Sequence, residues 1–193
     1  MITNISVQNL KTKLPIFNLL AYNVWMAGGV VRDCIIGEKY SDVDIFGSET
    51  NLDRFKAAEL KDFKLVHESD LLETYQKDDL KVQLIYRDFE SPEECIQSFD
   101  YTICMFAYDG VRIICEADAI LHLFNKKLVV NKLSPEYVVS SLERMQKYIK
   151  KGYTICAGGI QELVSGIRFA NQEQINSQFK YYPNGDVRII YFD

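Results

Sequence analysis

The sequence predicts a mixed α/β (α+β) fold, a mixed β-sheet backed by helices with a helical and hairpin C-terminal extension. Three observations predict it. Short apolar runs alternate with helical patterns through the first half of the chain. Turn dipeptides, Asp109-Gly110 and Asn184-Gly185, sit between β-like runs. Ser-Pro-Glu triplets at Ser91 and Ser134 have the form of helix starts. The chain divides in this reading into residues 1–130 and a 131–193 extension packed on them, because Pro and Gly are few and no repeat, linker or low-complexity tract breaks it.

Taken in order, Leu14–Tyr22 reads as a helix, Val24–Ala27 as a short buried strand, Val30–Ile36 as a helix closed by Gly37, and Val43–Phe46 as a strand. Asn51–Leu60 is a charged amphipathic helix. Phe63–His67, Leu72–Gln76 and Leu80–Tyr86 are β-like, with Lys77-Asp78-Asp79 turning between the last two. Ser91-Pro92-Glu93-Glu94 supplies an N-cap, a first-turn proline and a capping-box glutamate for a helix running to about Phe99. Tyr101–Tyr108 and Val111–Cys115 form a hairpin around Asp109-Gly110, the first run being open to a helical start. Ala117–Asn125 is helical, and Ser134-Pro135-Glu136 opens a long helix to Gly152 whose Val138, Leu142, Met145 and Ile149 make one buried face. A helix near Ile160–Ile167 and a hairpin within Phe179–Phe192 finish the chain.

The 193 residues are 48% hydrophobic and 25% charged, which excludes a disordered or collagen-like chain. Lys and Arg number 22 against 27 Asp and Glu, so a net charge of −5 argues against a surface that beds a long nucleic-acid duplex. No apolar run reaches the roughly 18 residues of a membrane span, and Met1-Ile2-Thr3-Asn4 lacks a signal-peptide pattern, so the expectation is a cytoplasmic protein away from membranes. The five cysteines, 34, 95, 104, 115 and 156, form no Cys-x-x-Cys pair and mostly lie in apolar stretches, where free cysteine acts as a small core residue. His67 and His122 have no metal-like partner in sequence, and the 12 Tyr and 11 Phe are dispersed as core residues rather than arrayed for base stacking.

Chemistry concentrates in Ala27-Gly28-Gly29-Val30-Val31-Arg32-Asp33 and Ser41-Asp42-Val43-Asp44. Two glycines between a buried strand and a helix let backbone approach an anion, and the helix start aims N–H groups at it. Asp42 and Asp44 project from one face of a strand with Cα atoms roughly 6–7 Å apart. Such a pair is either a solvated surface feature or a ligand set for cations. Its oxygen donors suit Mg²⁺ or Mn²⁺, of which two about 3.5–4 Å apart can clamp an in-line phosphoryl displacement. Twelve residues, 30–41, separate Gly29 from Asp42.

Together these residues resemble the signature of the DNA polymerase β-type nucleotidyltransferase superfamily, a Gly-Gly turn followed by Asp-x-Asp. They are most similar to the head domain of bacterial-type poly(A) polymerases and CCA-adding tRNA nucleotidyltransferases, where Gly-Gly is followed by an Arg-Asp helix. Asp100-Tyr101-Thr102-Ile103-Cys104-Met105-Phe106-Ala107-Tyr108-Asp109 resembles that branch's Asp-Phe-Thr-Ile-Asn-Ala-x-Ala-Tyr-Asp segment. The resemblance covers roughly residues 14–130. It implies a nucleotidyltransferase-type sheet, NMP transfer from an NTP to an acceptor hydroxyl such as an RNA 3′ end, and release of pyrophosphate. It implies Mg²⁺ or Mn²⁺ on Asp42 and Asp44, with Asp42, Asp44 and Asp100 catalytic. Gly28, Gly29, Arg32 and Asp33 would hold the nucleotide, Arg32 either reaching a phosphate or pairing with Asp42 or Asp44. Asp100 either completes the acidic cluster or caps a helix.

Departures are visible too. Ser98 and Phe99 stand where the branch has two arginines, Cys104 replaces its asparagine, and Lys81 or Gln83 occupies the strand where a third acid is often found. No counterpart of the family's neck, body and tail follows residue 130. The helix from Pro135 to Lys151 takes the neck's place, and its Arg144, Lys147, Lys150 and Lys151 either contact substrate phosphates or form a solvated face that complements the helix dipole. Two further readings stay open: a nucleotide-binding or protein-binding module without turnover, and a transferase that modifies a protein or small molecule.

Overall fold

The computed structural model describes residues 2–5, 14–181, 183 and 185–189. Its contacts gather the chain into two units, Met1–Ser98 with Cys104–Ile120, and Phe99–Ile103 with Leu121–Asp193. The sequence reading drew one line, at residue 130. The contacts draw it near residue 120 and assign a five-residue segment, 99–103, to the second unit.

The first unit contains β1 (Ile2–Ile5), α1 (Leu19–Tyr22), β2 (Trp25–Ala27), α2 (Gly29–Ile36), β3 (Val43–Phe46), α3 (Glu49–Glu59), β4 (Lys64–Ser69), β5 (Leu72–Lys77), β6 (Leu80–Ile85), α4 (Pro92–Gln97), β7 (Phe106–Tyr108) and β8 (Ile113–Glu116), and α5 (Ala117–Phe124) leads out of it. Its strands make one eight-stranded sheet in the order β1-β8-β7-β2-β3-β6-β5-β4. Every neighbouring pair is antiparallel except β3 and β6. That parallel pair is possible because α3 and the β4–β5 hairpin lie between its strands in sequence and provide the crossover.

Both faces of the sheet bury apolar side chains, and Trp25, Ala27, Phe46 and Ile85 share theirs with Asp44. On one, Met26, Val43, Ile45, Val82, Leu84 and Phe106 are fully buried. Each such side chain stabilises the fold by about 1.5–3 kcal/mol relative to exposure. Helix α2 packs there against β2, β3 and β7 through Val30, Val31 and Cys34. From α3, Lys56 Nζ reaches the Glu73 carboxylate of β5 at 3.1 and 3.2 Å, and Tyr75 and Tyr86 hydroxyls donate to the same carboxylate. Burial, then the bond to Glu73, pushes the Tyr75 phenol up to about 12. The opposite face carries Asp44.

Local rules explain most element ends. Gly37, in the left-handed region at φ 74°, ends α2, with Gly37 N–H bonded to Cys34 O and Glu38 N–H to Asp33 O. Ser91 Oγ accepts from Glu94 N–H and caps α4. The Glu94 carboxylate, however, accepts from Glu90 N–H at 2.7 Å. The predicted helix over Leu14–Tyr22 shrinks to α1, four residues, because Pro15 interrupts the start and lacks a donor. The 101–108 run does begin helically, as a 3₁₀ turn over Thr102–Cys104 before β7.

The second unit contains β9 (Lys127–Leu128), α6 (Val138–Lys150), β10 (Thr154–Ile155), α7 (Ala157–Phe169), α8 (Gln172–Asn176), β11 (Phe179–Tyr181) and β12 (Val187–Ile189). The β11–β12 pair is the expected C-terminal hairpin, although Asn184 and residues 190–193 lie outside the described residues. The buried face expected on α6 is rotated. Val138 is buried, but Ile149 is 46% exposed, and Ser140, Ser141 and Tyr148 turn inward instead. Aromatic contacts decide this: the Tyr148 ring packs on Tyr101 and Tyr153 at 5.9 and 5.8 Å, and Tyr101 Oη donates to Ser141 O. Nor does Ser134-Pro135-Glu136 cap this helix. Buried Gln178 does so from 39 residues away, its Oε1 accepting Val139 N–H at 2.8 Å while its amide donates to Pro135 O and Gln174 O. Four of the five free cysteines are buried, as their apolar surroundings predicted, and Cys156 is exposed.

Candidate nucleotide site

The first unit's sheet register brings the motif residues together. Antiparallel pairing of β2 and β3 sets Ala27 directly across from Asp44, so the Gly28-Gly29 turn that follows Ala27 lies beside the end of β3 where Asp42 enters. Asp42 and Asp44, two residues apart, share the sheet face away from α2. Both are half-buried, and Ser41 Oγ donates to Asp42 Oδ1 at 2.8 Å. Across β3's other edge, the parallel register sets Gln83 opposite Asp44, and β5 then sets Thr74 opposite Gln83. The strand position where the resemblance allowed a third acid is therefore occupied by Gln83, and the row reads Ala27, Asp44, Gln83, Thr74. Lys81 stands two residues away on the same face.

The glycine turn divides its labour. Gly28 sits at φ 79°, ψ −131°, a conformation open to glycine, and its N–H is committed to Phe106 O at 2.8 Å. The remaining backbone donors of the turn lie in the first turn of α2, from Gly29 onward, because the earliest bond within the helix is Arg32 N–H to Gly28 O. A Cβ on Gly29 would lie 3.6 Å from Arg32 Nη2, so the guanidinium stands directly over the turn. Arg32 is 3% exposed. Its Nε donates to Asp33 Oδ1 at 2.7 Å, and its Nη1 lies 3.9 Å from Cys104 Sγ. Arg32 and Asp33 thus form a buried ion pair at the helix start, with the cation next to the glycine turn.

One group near this face escaped the sequence reading. Burial pushes the Cys95 thiol up to about 12; the Trp25 indole and the Arg87 cation pull against that, and the Asp44 carboxylate adds to it. Half-buried Arg87 and Asp44 thus both act electrostatically on this buried sulfur. Nothing in the local sequence marks Arg87, since it follows β6 rather than the glycine turn.

Asp100 and Arg144 belong to the second unit. Arg144 Nε donates to Asp100 Oδ2 at 2.8 Å, with the side chains 17% and 10% exposed, and Asn131 N–H donates to Asp100 O. This ion pair joins the 99–103 segment to α6 within that unit. Lys147 is exposed on α6.

The donor set on β3 is hard oxygen: two carboxylates and, next to them, a neutral amide. That chemistry fits Mg²⁺ or Mn²⁺ bound by one or two carboxylates and completed by water and substrate phosphates. It is not a cage, for among the described residues no group of three or more His, Cys, Asp or Glu gathers as metal ligands. Among those residues no helix is long and apolar enough to cross a membrane.

An eight-stranded mixed sheet that presents a Gly-Gly turn beside an Asp-x-Asp strand is a DNA polymerase β-type nucleotidyltransferase fold, and solved structures bear this out. A CCA-adding enzyme in an apo form aligns with TM-score 0.65 and 19% identity over 86% of this chain and 46% of that one. The Thermotoga maritima CCA-adding enzyme complexed with tRNA aligns with TM-score 0.64 and 18% identity over 86% and 46%. A CCA-adding enzyme complexed with CTP gives TM-score 0.65, 18% identity, 86% and 45%. The chain thus spans just under half the length of these structures. No curated protein matches it in sequence. A family model, Gabija anti-defense 2 family protein, matches residues 3–126, and the chain belongs to that family.

Proposed function

We propose that the first unit is a metal-dependent nucleotidyltransferase site. It takes an NTP, joins the NMP to an acceptor hydroxyl and releases pyrophosphate. The observation that carries this reading is the register that places Asp42 and Asp44 beside the Gly28-Gly29 turn with the Arg32 guanidinium over it. The N–H groups from Gly29 onward hold the phosphates and Arg32, steadied by Asp33, adds positive charge next to them. Asp42 and Asp44 hold Mg²⁺ or Mn²⁺, which when bound stabilises charge on the phosphate oxygens. The acceptor oxygen bonds to the α-phosphorus, the bond to the bridging oxygen of the pyrophosphate breaks, and the hydroxyl proton leaves to solvent. This chain's contribution is positioning and fixed charge.

The acceptor we favour is an RNA 3′ end, supported by a structural neighbour complexed with tRNA and others with CTP or ATP. The setting we favour is the cytoplasm. The family's name supports a role for the transfer in counteracting the Gabija defence. Purified protein incubated with each α-labelled NTP, Mg²⁺ or Mn²⁺, and RNA, protein or small-molecule fractions should label one fraction, and Asp42→Ala should abolish the label. Label in the protein or small-molecule fraction would keep the transferase and replace RNA as acceptor. The neutral Gln83 beside Asp44 favours a second reading, a module that binds nucleotide without turnover. Nucleotide binding with no label in any fraction would establish it.

A further inference from the structure

Resting on that reading, we infer that the site holds one divalent cation per bound nucleotide rather than two, and that Gln83 sets this count. The inference comes from charge along one row of the sheet. Ala27, Asp44, Gln83 and Thr74 are successive cross-strand neighbours on β2, β3, β6 and β5. Side chains at paired positions lie on the same face of strands about 4.8 Å apart, close enough to ligate a common ion. Of these four, Asp44 alone is anionic, and Asp42 adds the second carboxylate from the end of the strand. Gln83 is half-buried, and its amide has no hydrogen-bond partner among the described residues. It presents a neutral oxygen where a carboxylate would be needed to fix a second cation.

The balance follows. Two carboxylates neutralise one divalent ion. The triphosphate adds its own charge and oxygens to that ion, and a second ion, held away from the triphosphate, would meet the repulsion of the first with only the neutral Gln83 amide beside Asp44 to bind it. The same face also carries the Lys81 cation, which adds to the electrostatic cost of a second ion.

The test counts ions and does not depend on turnover. Mn²⁺ is titrated by electron paramagnetic resonance against the full chain with an equimolar α,β-methylene analogue of each of the four NTPs, for wild type, Asp42→Ala and Gln83→Glu. The wild type is expected to take up one Mn²⁺ per protein–nucleotide complex, held about tenfold more tightly than by the analogue alone, Asp42→Ala to lose that gain over the analogue, and Gln83→Glu to take up two. Two Mn²⁺ in the wild type would overturn the inference and leave the transferase reading standing. No gain in Mn²⁺ affinity over the analogue alone, or a gain that Asp42→Ala leaves intact, would overturn the reading itself, and the inference with it. The wild-type count decides even where Gln83→Glu fails to fold, and a Gln83→Glu complex that folds and still holds one ion would show that Gln83 does not set the number.

Discussion

Asp42 in the first unit and Asp100 in the second lie in opposite kinds of surroundings. Asp42 is half-buried at the mouth of β3 and is touched by the hydroxyl of its own neighbour, Ser41. Asp100 is 10% exposed and locked at 2.8 Å to an arginine 44 residues away. A carboxylate of the first sort costs the fold something through repulsion with Asp44 and is available to a ligand. A carboxylate of the second sort already has its counter-ion, and its contribution is to hold a segment in place. On the proposed reading, the same residue type serves binding in one unit and architecture in the other.

The sharpest way to break this comparison is to remove each aspartate and read both activity and stability. Asp42→Ala should cut nucleotidyl transfer at least ~10³-fold, which is about 4 kcal/mol of transition-state stabilisation. Its melting temperature should stay within about 2 °C of wild type, because a half-exposed carboxylate next to another carboxylate adds little stability. Asp100→Asn should do the reverse. It takes the charge out of the largely buried ion pair with Arg144, at a cost of roughly 2–3 kcal/mol, somewhat under the full penalty for a completely buried pair. Thermal unfolding should show that loss, with transfer in the folded fraction retained. If Asp100→Asn unfolds normally but transfers nothing, Asp100 is a site residue and the contrast between the units fails.

The two glycines offer a finer contrast inside the site. Gly28 has its amide in the sheet and φ at 79°, so Gly28→Ala should destabilise by about 1–3 kcal/mol through backbone strain. Gly29 opens the helix, and a Cβ there meets Arg32 Nη2 at an ordinary contact distance of 3.6 Å. Gly29→Ala should leave the melting temperature nearly unchanged and weaken nucleotide binding about tenfold, measured by calorimetry, because the methyl intrudes where phosphate must approach. Equal losses of stability in both variants would mean that the turn is purely structural.

How much of this was legible in the sequence follows from the range of the interactions. The strand at Val43–Phe46, the helix closed by Gly37 and the Gly28-Gly29 turn depend on neighbours within a few residues, and their patterns were readable there. The registers that give the site its meaning are not local. Asp44 opposite Ala27 and Gln83 is a pairing of three strands, one of them parallel to β3, which no window of the sequence contains. Gln83 was visible as a departure from a pattern, but its position next to Asp44 had to come from the sheet. Asp100 with Arg144, and Gln178 at the start of α6, are long-range partners of the same kind. The rotated face of α6 shows a different limit: counting Val138, Leu142, Met145 and Ile149 as apolar ignores that tyrosine rings outcompete an isoleucine for the interior when other rings are there to meet them.

The smallest predicted effect tests whether ion pairing at the first unit's rim behaves as ordinary surface electrostatics. Burial alone would raise Asp109, but N–H groups of Arg112 and Val111 and the Arg112 guanidinium hold it below its ordinary 3.8. A lowered folded-state value means that the ionised carboxylate stabilises the β7–β8 turn. That stability is fully present above the unfolded value, near 4, and is lost as pH falls through the lower folded value. Asp109→Asn should therefore cost about 0.5–1 kcal/mol at pH 7, the modest figure reflecting a partly exposed pair with Arg112 48% exposed. The gap between variant and wild type in denaturant midpoint should close progressively below pH 4. A gap that persists undiminished at pH 2 would place the role of Asp109 in its shape within the turn rather than in its charge.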